Sequence, residues 1–258
     1  MHLTRPEEPD MLTRERLAEH LHELLSVDSF DDYAPNGLQV QGRARIRRVV
    51  SGVTASLELV HRAAELDACA LLVHHGWFWR GEDARVIGQR HKRLKALLQA
   101  DMNLYAYHLP LDAHPLLGNN AQLAARLGWQ AESRFGKQGL GVLGRAPQAT
   151  RAQLAQALER VLGRPVLLVG DPEAPVGRLA WCTGAAQGWI EQAREAGADT
   201  YLSGEISEPT AHYAREMDVA YLACGHHATE RYGVQALGEH LAAQFGIEHH
   251  FIDVDNPA

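Results

Sequence analysis

Short apolar runs alternate with longer amphipathic stretches along the chain, and that alternation predicts an α/β protein. Leu17, Leu21, Leu24 and Leu25 recur at helical spacing behind Thr13, a residue type that caps helices. Pro35-Asn36-Gly37 reads as a turn, with a short strand at 38–40. A Val-rich run at 46–54 predicts a strand, and Ser56 caps a helix reaching to about 66. The continuously apolar run 68–73 is a buried strand that ends at His74-His75-Gly76. Leu94, Leu97 and Leu98 share the apolar face of the next helix. The strand at 103–109 opens into Pro110-Leu111-Asp112-Ala113-His114-Pro115, and Gly118-Asn119-Asn120 starts a helix closed by Gly128.

The pattern then changes. Residues 130–177 carry a strand at 139–143, a helix on Leu154, Leu158, Val161 and Leu162 with Thr150 and Gln153 spaced as a capping box, and a strand at 165–169. The first pattern returns with strands at 179–184 and 200–203, helices at 187–196 and around 208–216, and an apolar strand at 219–224. That strand runs into Gly225-His226-His227-Ala228-Thr229-Glu230, and a helix follows on Val234, Leu237, Leu241 and Phe245 until Gly246. The last strand is expected at 250–254. A shift of 130 lays Ala63, Glu65, Ala68, Leu72 and His75 on Ala193, Glu195, Ala198, Leu202 and Glu205. A shift of 118 lays 123–128 on 241–246 and Asp112 on Glu230. The expected fold is therefore α/β, with two similar α/β halves, mixed sheets and flanking helices. The expected organisation is a first half at 1–129, a small insert or lobe at 130–177 and a second half at 178–258. Strand ends of both halves would build a site between them.

Composition narrows the class. The chain has 258 residues, 46% of them hydrophobic and 22% charged, as a soluble protein with a real core does. A net charge of −7 argues against a general nucleic-acid or membrane coat. Cys69, Cys182 and Cys224 stand apart in apolar contexts, as core thiols of a reducing compartment would. No signal peptide and no membrane span are read, so a cytoplasmic location is expected.

Fifteen His is the unusual count, and their placement carries the chemistry. His74-His75, Asp112, His226 and Glu230 all follow predicted strands, where crossover rules gather side chains at one sheet edge. His226 and Glu230 are four apart and share a helical face. One His pair at a strand end is more often a hydrogen-bonded polar pair than a ligand pair. Four such features together are another matter. Three imidazoles and two carboxylates exceed one tetrahedral zinc and suit two divalent ions about 3.5–4 Å apart. His227 is expected in packing or behind the ligands, Glu205 behind the ligands or as an N-cap, and His212 near the site. His20, His22, His61 and His91 are read as helix-surface residues, His114 as structural and His249-His250 as solvated. Trp77, Phe78 and Trp79 are core packing or an aromatic wall for a flat ring.

At these residues the sequence resembles the GTP cyclohydrolase 1 type 2-like, or NIF-three-like, family. The blocks are His-His-Gly-Trp-Phe-Trp at 74–79, Tyr-His-Leu-Pro-Leu-Asp-Ala-His-Pro at 107–115, Gly-Asn-Asn-Ala-Gln-Leu at 118–123, Ser-Gly-Glu at 203–205 and Gly-His-His-Ala-Thr-Glu at 225–230. The likeness runs from Asn36 to the C-terminus and fits the compact bacterial members. It implies a two-metal site at His74, His75, Asp112, His226 and Glu230, the last bridging, and a ring-shaped homohexamer with the metals facing its cavity. No P-loop accompanies it.

Two functions follow, beside a nucleic-acid-encircling ring that only the implied toroid suggests and the acidic net charge opposes. One is a metal-dependent hydrolase acting on a nucleotide or related heterocycle, with His108, four residues before Asp112, as proton shuttle. The other is a non-catalytic metal-binding protein or metallochaperone. The mixed N/O donors suit Fe, Zn, Mn, Co or Ni and choose poorly among them.

Overall fold

The structure is a computed structural model that describes residues 11–258. Residues 1–12, polar and with two Pro, read in the sequence as a loose lead-in, and all but the last two lie outside the described residues.

The chain folds as two compact units, residues up to 108 with 237–254, and 109–236 with 255–258. The first opens with α1 (Arg14–Leu24), whose first turn is capped by the Thr13 hydroxyl accepting from the Arg16 N–H. Next come β1 (Gly37–Val40), β2 (Arg48–Thr54) and α2 (Leu57–Glu65), the last capped by Ser56 accepting from the Leu59 N–H. β3 (Ala70–His75), α3 (Gly88–Gln99) and β4 (Asn103–Ala106) complete the run. The second unit holds α4 (Leu109–Ala113), α5 (Asn119–Leu127), β5 (Gln130–Phe135), β6 (Gly141–Arg145), α6 (Arg151–Leu162) and β7 (Leu167–Val169). It continues through β8 (Leu179–Trp181), α7 (Ile190–Glu195), β9 (Thr200–Ser203), α8 (Glu208–Glu216), β10 (Ala220–Ala223) and α9 (His226–Thr229). The division between the units falls within α10 (Arg231–Phe245), and β11 (Glu248–Phe251) belongs to the first.

The first sheet has the order β1-β4-β3-β2-β11, parallel except for β1. β2 and β3 are buried nearly throughout, as parallel strands covered on both faces are. Leu59, Val60 and Ala63 of α2 and Leu97 of α3 pack on Val50, Leu71, Val73 and Leu104. The second sheet has the order β5-β6-β8-β9-β10-β7, with parallel β8-β9-β10 flanked by antiparallel neighbours. Its core gathers Leu123, Leu154, Leu158, Trp181, Leu202 and Leu222. Residues 130–177 supply β5, β6 and β7 to this sheet, and the boundaries expected at 129 and 178 fall inside the second unit.

The internal repeat is visible in strand register. β2 pairs with β3 through Val49 and Ala70, and β8 pairs with β9 through Leu179 and Thr200, each residue displaced by 130. The two halves are similar α/β arrangements with mixed sheets and flanking helices, as the pattern predicts.

Several local expectations are corrected. Leu98 is 57% exposed and does not share the buried face of Leu97. The fourth strand ends at Ala106, because Pro110 can neither donate to a ladder nor follow a strand there, and Asp112 lies on α4. β5 is missing from the expected elements, since its exposed Gln-Ala-Glu-Ser-Arg-Phe lacks a period-two apolar signal. The last strand begins two residues earlier than expected, at Glu248. His249 is half-buried and hydrogen bonded to the Ser51 hydroxyl at 2.7 Å, not solvated. His20 is half-buried too, with its Nε2 3.1 Å from that of His240.

Candidate metal-binding site

In the first unit the two His of the opening pair are the last two residues of β3, so they diverge to opposite faces at a strand end. His74 is fully buried, and its Nδ1–H donates to the Tyr107 carbonyl at 2.9 Å. His75 Nδ1 is hydrogen bonded to the Thr54 hydroxyl at 3.1 Å, across the β2-β3 pairing. His108, just past β4, donates from Nδ1 to Asp32 Oδ1 at 2.9 Å. The three rings lie 4.5–5.7 Å apart, and each offers a ligand nitrogen within 4.8 Å of the others. With Nδ1 engaged, Nε2 is the nitrogen that a metal or a proton would bind in these rings.

Asp32 is a residue the sequence reading missed. Its carboxylate is 3% exposed and accepts from His108, from the Ala34 N–H and from Asn36 Nδ2. Asn36 also accepts the His108 backbone N–H at 2.7 Å, so the turn before β1 holds His108 by side chain and main chain together. The only signal was acid-rich Asp-Asp-Tyr before the Pro-Asn-Gly turn, and nothing in the sequence ties that segment to residue 108.

The aromatic triplet divides its roles. Trp77 is buried, with its indole N–H donating to the Ala55 carbonyl at 2.9 Å, which is packing. Phe78 carries φ +67°, the left-handed region that a bulky residue rarely enters. That turn sets Trp79 with its ring 6.0 Å from His75 and 5.1 Å from His108. Exposed Tyr33 lies 5.6 Å from Trp79 and 5.0 Å from His108. The aromatic wall is thus Trp79 with Tyr33.

In the second unit His226 opens α9 and Glu230 closes it. Glu230 adopts φ −108°, ψ 7°, so the helix breaks there instead of running on as expected. The pair still meets, His226 Nε2 standing 3.1 Å from Glu230 Oε2. Glu205 holds the other nitrogen, Nδ1, at 2.7 Å, the role behind the ligands that was expected of it. Burial by itself would lower the His226 pKa, but the hydrogen bonds and charges of Glu230 and then Glu205 prevail and push it up to about 9. His212 instead pairs with Glu208 on the surface. His114 is structural, its Nδ1 accepting from the Leu116 and Leu117 N–H groups.

Asp112 accepts from Asn119 Nδ2 at 2.7 Å, and Asn119 in turn accepts from the Gly233 N–H. The Cys182 thiol is pushed up by burial and then by the carboxylates of Asp112 and Glu230, which places both acids near β8. Gly184 follows that strand with φ +71°, and a Cβ there would collide with Glu230 Oε1. A Cβ on Gly204 would meet the His226 backbone and the Gly184 carbonyl. Both glycines keep the floor of the cluster low enough for the acid and the imidazole.

The fold and these clusters define a mixed α/β protein with imidazoles and carboxylates that could hold a metal ion. The family Duf34/NIF3 (NGG1p interacting factor 3) matches residues 12–257, and the chain belongs to it. A Pseudomonas aeruginosa protein named GTP cyclohydrolase 1 type 2 homolog is 52% identical over 246 residues, covering 94% of this chain and 97% of the relative. A Yersinia pestis protein of the same name is 53% identical over 240 residues, covering 92% and 96%. Among solved structures, protein ybgI, described as of unknown function, superposes with TM-score 0.91 at 44% identity, over 96% of this chain and 100% of that one. TTHA1606 from Thermus thermophilus gives TM-score 0.84 at 34% identity, again over 96% and 100%. No helix among the described residues is long and apolar enough to cross a membrane.

Proposed function

We propose that this protein is a metal-dependent hydrolase with a dinuclear centre, its ligands His74, His75, Asp112, His226 and Glu230. The observation that carries the reading is the outer support of each imidazole: Tyr107 carbonyl, Thr54 hydroxyl and Glu205 carboxylate each hold an Nδ1. Metal-ligating His is held in this way, because the second partner sets the tautomer and the ring orientation. Three imidazoles and two carboxylates fit two ions of the Fe, Zn, Mn, Co or Ni type. Bound there, such ions supply Lewis acidity and lower the pKa of water in the site.

The chain's own residues do the rest. Asp32 keeps the His108 proton on Nδ1, so Nε2 is the atom that accepts a proton and hands it on. Trp79 and Tyr33 offer a face on which a flat heterocycle stacks and is shielded from water. The proposed substrate is accordingly a nucleotide or a related heterocycle. A homohexameric ring in the cytoplasm is the assembly that goes with this reading.

Metal content of protein purified without a metal-affinity tag tests it, beside His74→Ala and Glu230→Ala. About two ions per chain, lost in both variants, with metal-dependent turnover of a nucleotide, is the expected result. Metal unchanged in the variants would sink the centre. Metal bound and released with no turnover of any nucleotide would favour a metal carrier.

A further inference from the structure

A small cavity opens beside Trp79 and Gly76, the latter one residue past His75. Its volume is about 80 Å³, and Gly76, Trp79, Glu82, Gln89, Arg90 and Arg93 line it. Ligand pockets for drug-sized molecules begin near 300 Å³, so this one has room for a single compact group and not for a ring.

Its charges are unbalanced. Arg90 is committed: it pairs with Glu82, donates to the Asp83 carbonyl and lies 5.9 Å over the Phe78 ring. Arg93 has no such commitment. Its Nε is buried and has no hydrogen-bond partner among the described residues. Burial, only partly offset by the Glu82 charge, depresses the affinity of Arg93 for its proton. Two guanidinium groups face one carboxylate, which leaves one positive charge half-buried and unneutralised. Such a charge is costly unless an anion meets it.

A guanidinium is shaped for oxyanions, which it grips with two parallel N–H donors. A phosphate offers oxygens to the Arg93 fork and carries enough charge to gain from Arg90 beside it while Arg90 stays paired with Glu82. Trp79 is the shared wall. It lines this cavity and also stands beside His75 and His108. Gly76 of the cavity lining also directly follows His75, so the cavity adjoins the imidazole cluster where a ligand stacked on Trp79 would lie.

We propose that the Arg93 cavity is the phosphate subsite of the substrate that occupies the metal centre, so that the preferred substrate is a phosphorylated heterocycle and not the free nucleoside or base. This rests on the hydrolase reading, and it adds the residue that selects for the phosphate. Arg93 reads the anion, Arg90 supports it, and Glu82 keeps Arg90 in place.

The test is calorimetric titration of the metal-loaded full chain with guanosine monophosphate, guanosine and inorganic phosphate, in wild type, Arg93→Met and Arg93→Lys. Arg93→Met keeps an apolar stem, and Arg93→Lys keeps the charge without the fork. Wild type is expected to bind the monophosphate at least about tenfold tighter than guanosine, from charge-assisted hydrogen bonds alone. Arg93→Met should erase most of that ratio, and Arg93→Lys should restore part of it, with metal content unchanged in both. An undiminished ratio in Arg93→Met overturns the proposal. Phosphate bound through Arg93 without any gain for the monophosphate over guanosine overturns it too, since the cavity would then hold an adventitious ion only. Should Arg93→Met fail to fold, a wild-type ratio in Arg93→Lys overturns it and a reduced ratio supports it. Failure of the hydrolase reading would instead appear as absent metal or absent turnover, which the binding ratio does not measure.

Discussion

His108 and His226 are the same position in the two halves of the repeat, separated by the shift of 118 that also relates Asp112 to Glu230. Each follows the third parallel strand of its set, and each rests its Nδ1 on a carboxylate, Asp32 for one and Glu205 for the other. The surroundings then diverge. The Asp32 side chain is 3% exposed and comes from the segment before β1, whereas the Glu205 side chain is 41% exposed and stands two residues past β9. His108 stands among other imidazoles, and His226 between two acids. The two halves thus share one arrangement, an imidazole with its outer carboxylate, and the proposed function gives it proton handling at His108 and ligation at His226.

The most disruptive way to break this comparison is Gly184→Ala. The substitution forces a left-handed residue to carry a Cβ that collides with Glu230 Oε1. We expect the second-unit cluster to be lost, with at least about 1 kcal/mol of stability and half or more of the bound metal. Denaturant unfolding and metal analysis would read this, and a fully loaded variant would show that the cluster tolerates displacement.

The outer carboxylates should separate next. Asp32→Asn is expected to cost about 10- to 100-fold in turnover by spoiling the His108 tautomer. Glu205→Gln should cost less in metal affinity, because solvent and Glu230 share the work of holding His226. The reverse order would mean that burial does not decide the strength of the support.

The smallest expected effect is in the pH dependence of the metal-free protein. The His226 pKa is raised in the folded chain from 6.5 to about 9. The folded state therefore holds a proton that the unfolded state releases earlier. The stability this supplies is whole below about 6.5 and is lost as pH rises through about 9. Unfolding free energy should thus decline between those limits, and less steeply in His226→Gln. Identical slopes would remove the imidazole–acid coupling. Metal uptake near neutral pH should release a proton for the same reason, since the ion replaces it.

Much of this was legible in residue patterns. The capped helices behind Thr13, Ser56 and Thr150 stand where the caps put them, because a cap is a local hydrogen bond. Gln153 completes its capping box one residue off, reaching the Ala149 N–H. β9 and α8 keep their expected bounds, being short elements with a strong apolar or capping signal at each end. β5 was invisible because its residues are exposed and polar, and only its pairing with β6 makes it a strand. The break at Glu230 was hidden by a helical pattern that continues across it.

Read from the chain alone, the α/β class, the repeat and the ligand-type residues at strand ends were all set, because periodicity and strand-end chemistry are local properties of neighbouring residues. What only tertiary structure decided is which groups support them. Asp32 reaches His108, Thr54 reaches His75, Tyr107 reaches His74 and Glu205 reaches His226 over 76, 21, 33 and 21 residues. No spacing rule spans such distances. They are closed by strand register and buried turns, and these depend on how whole sheets pack.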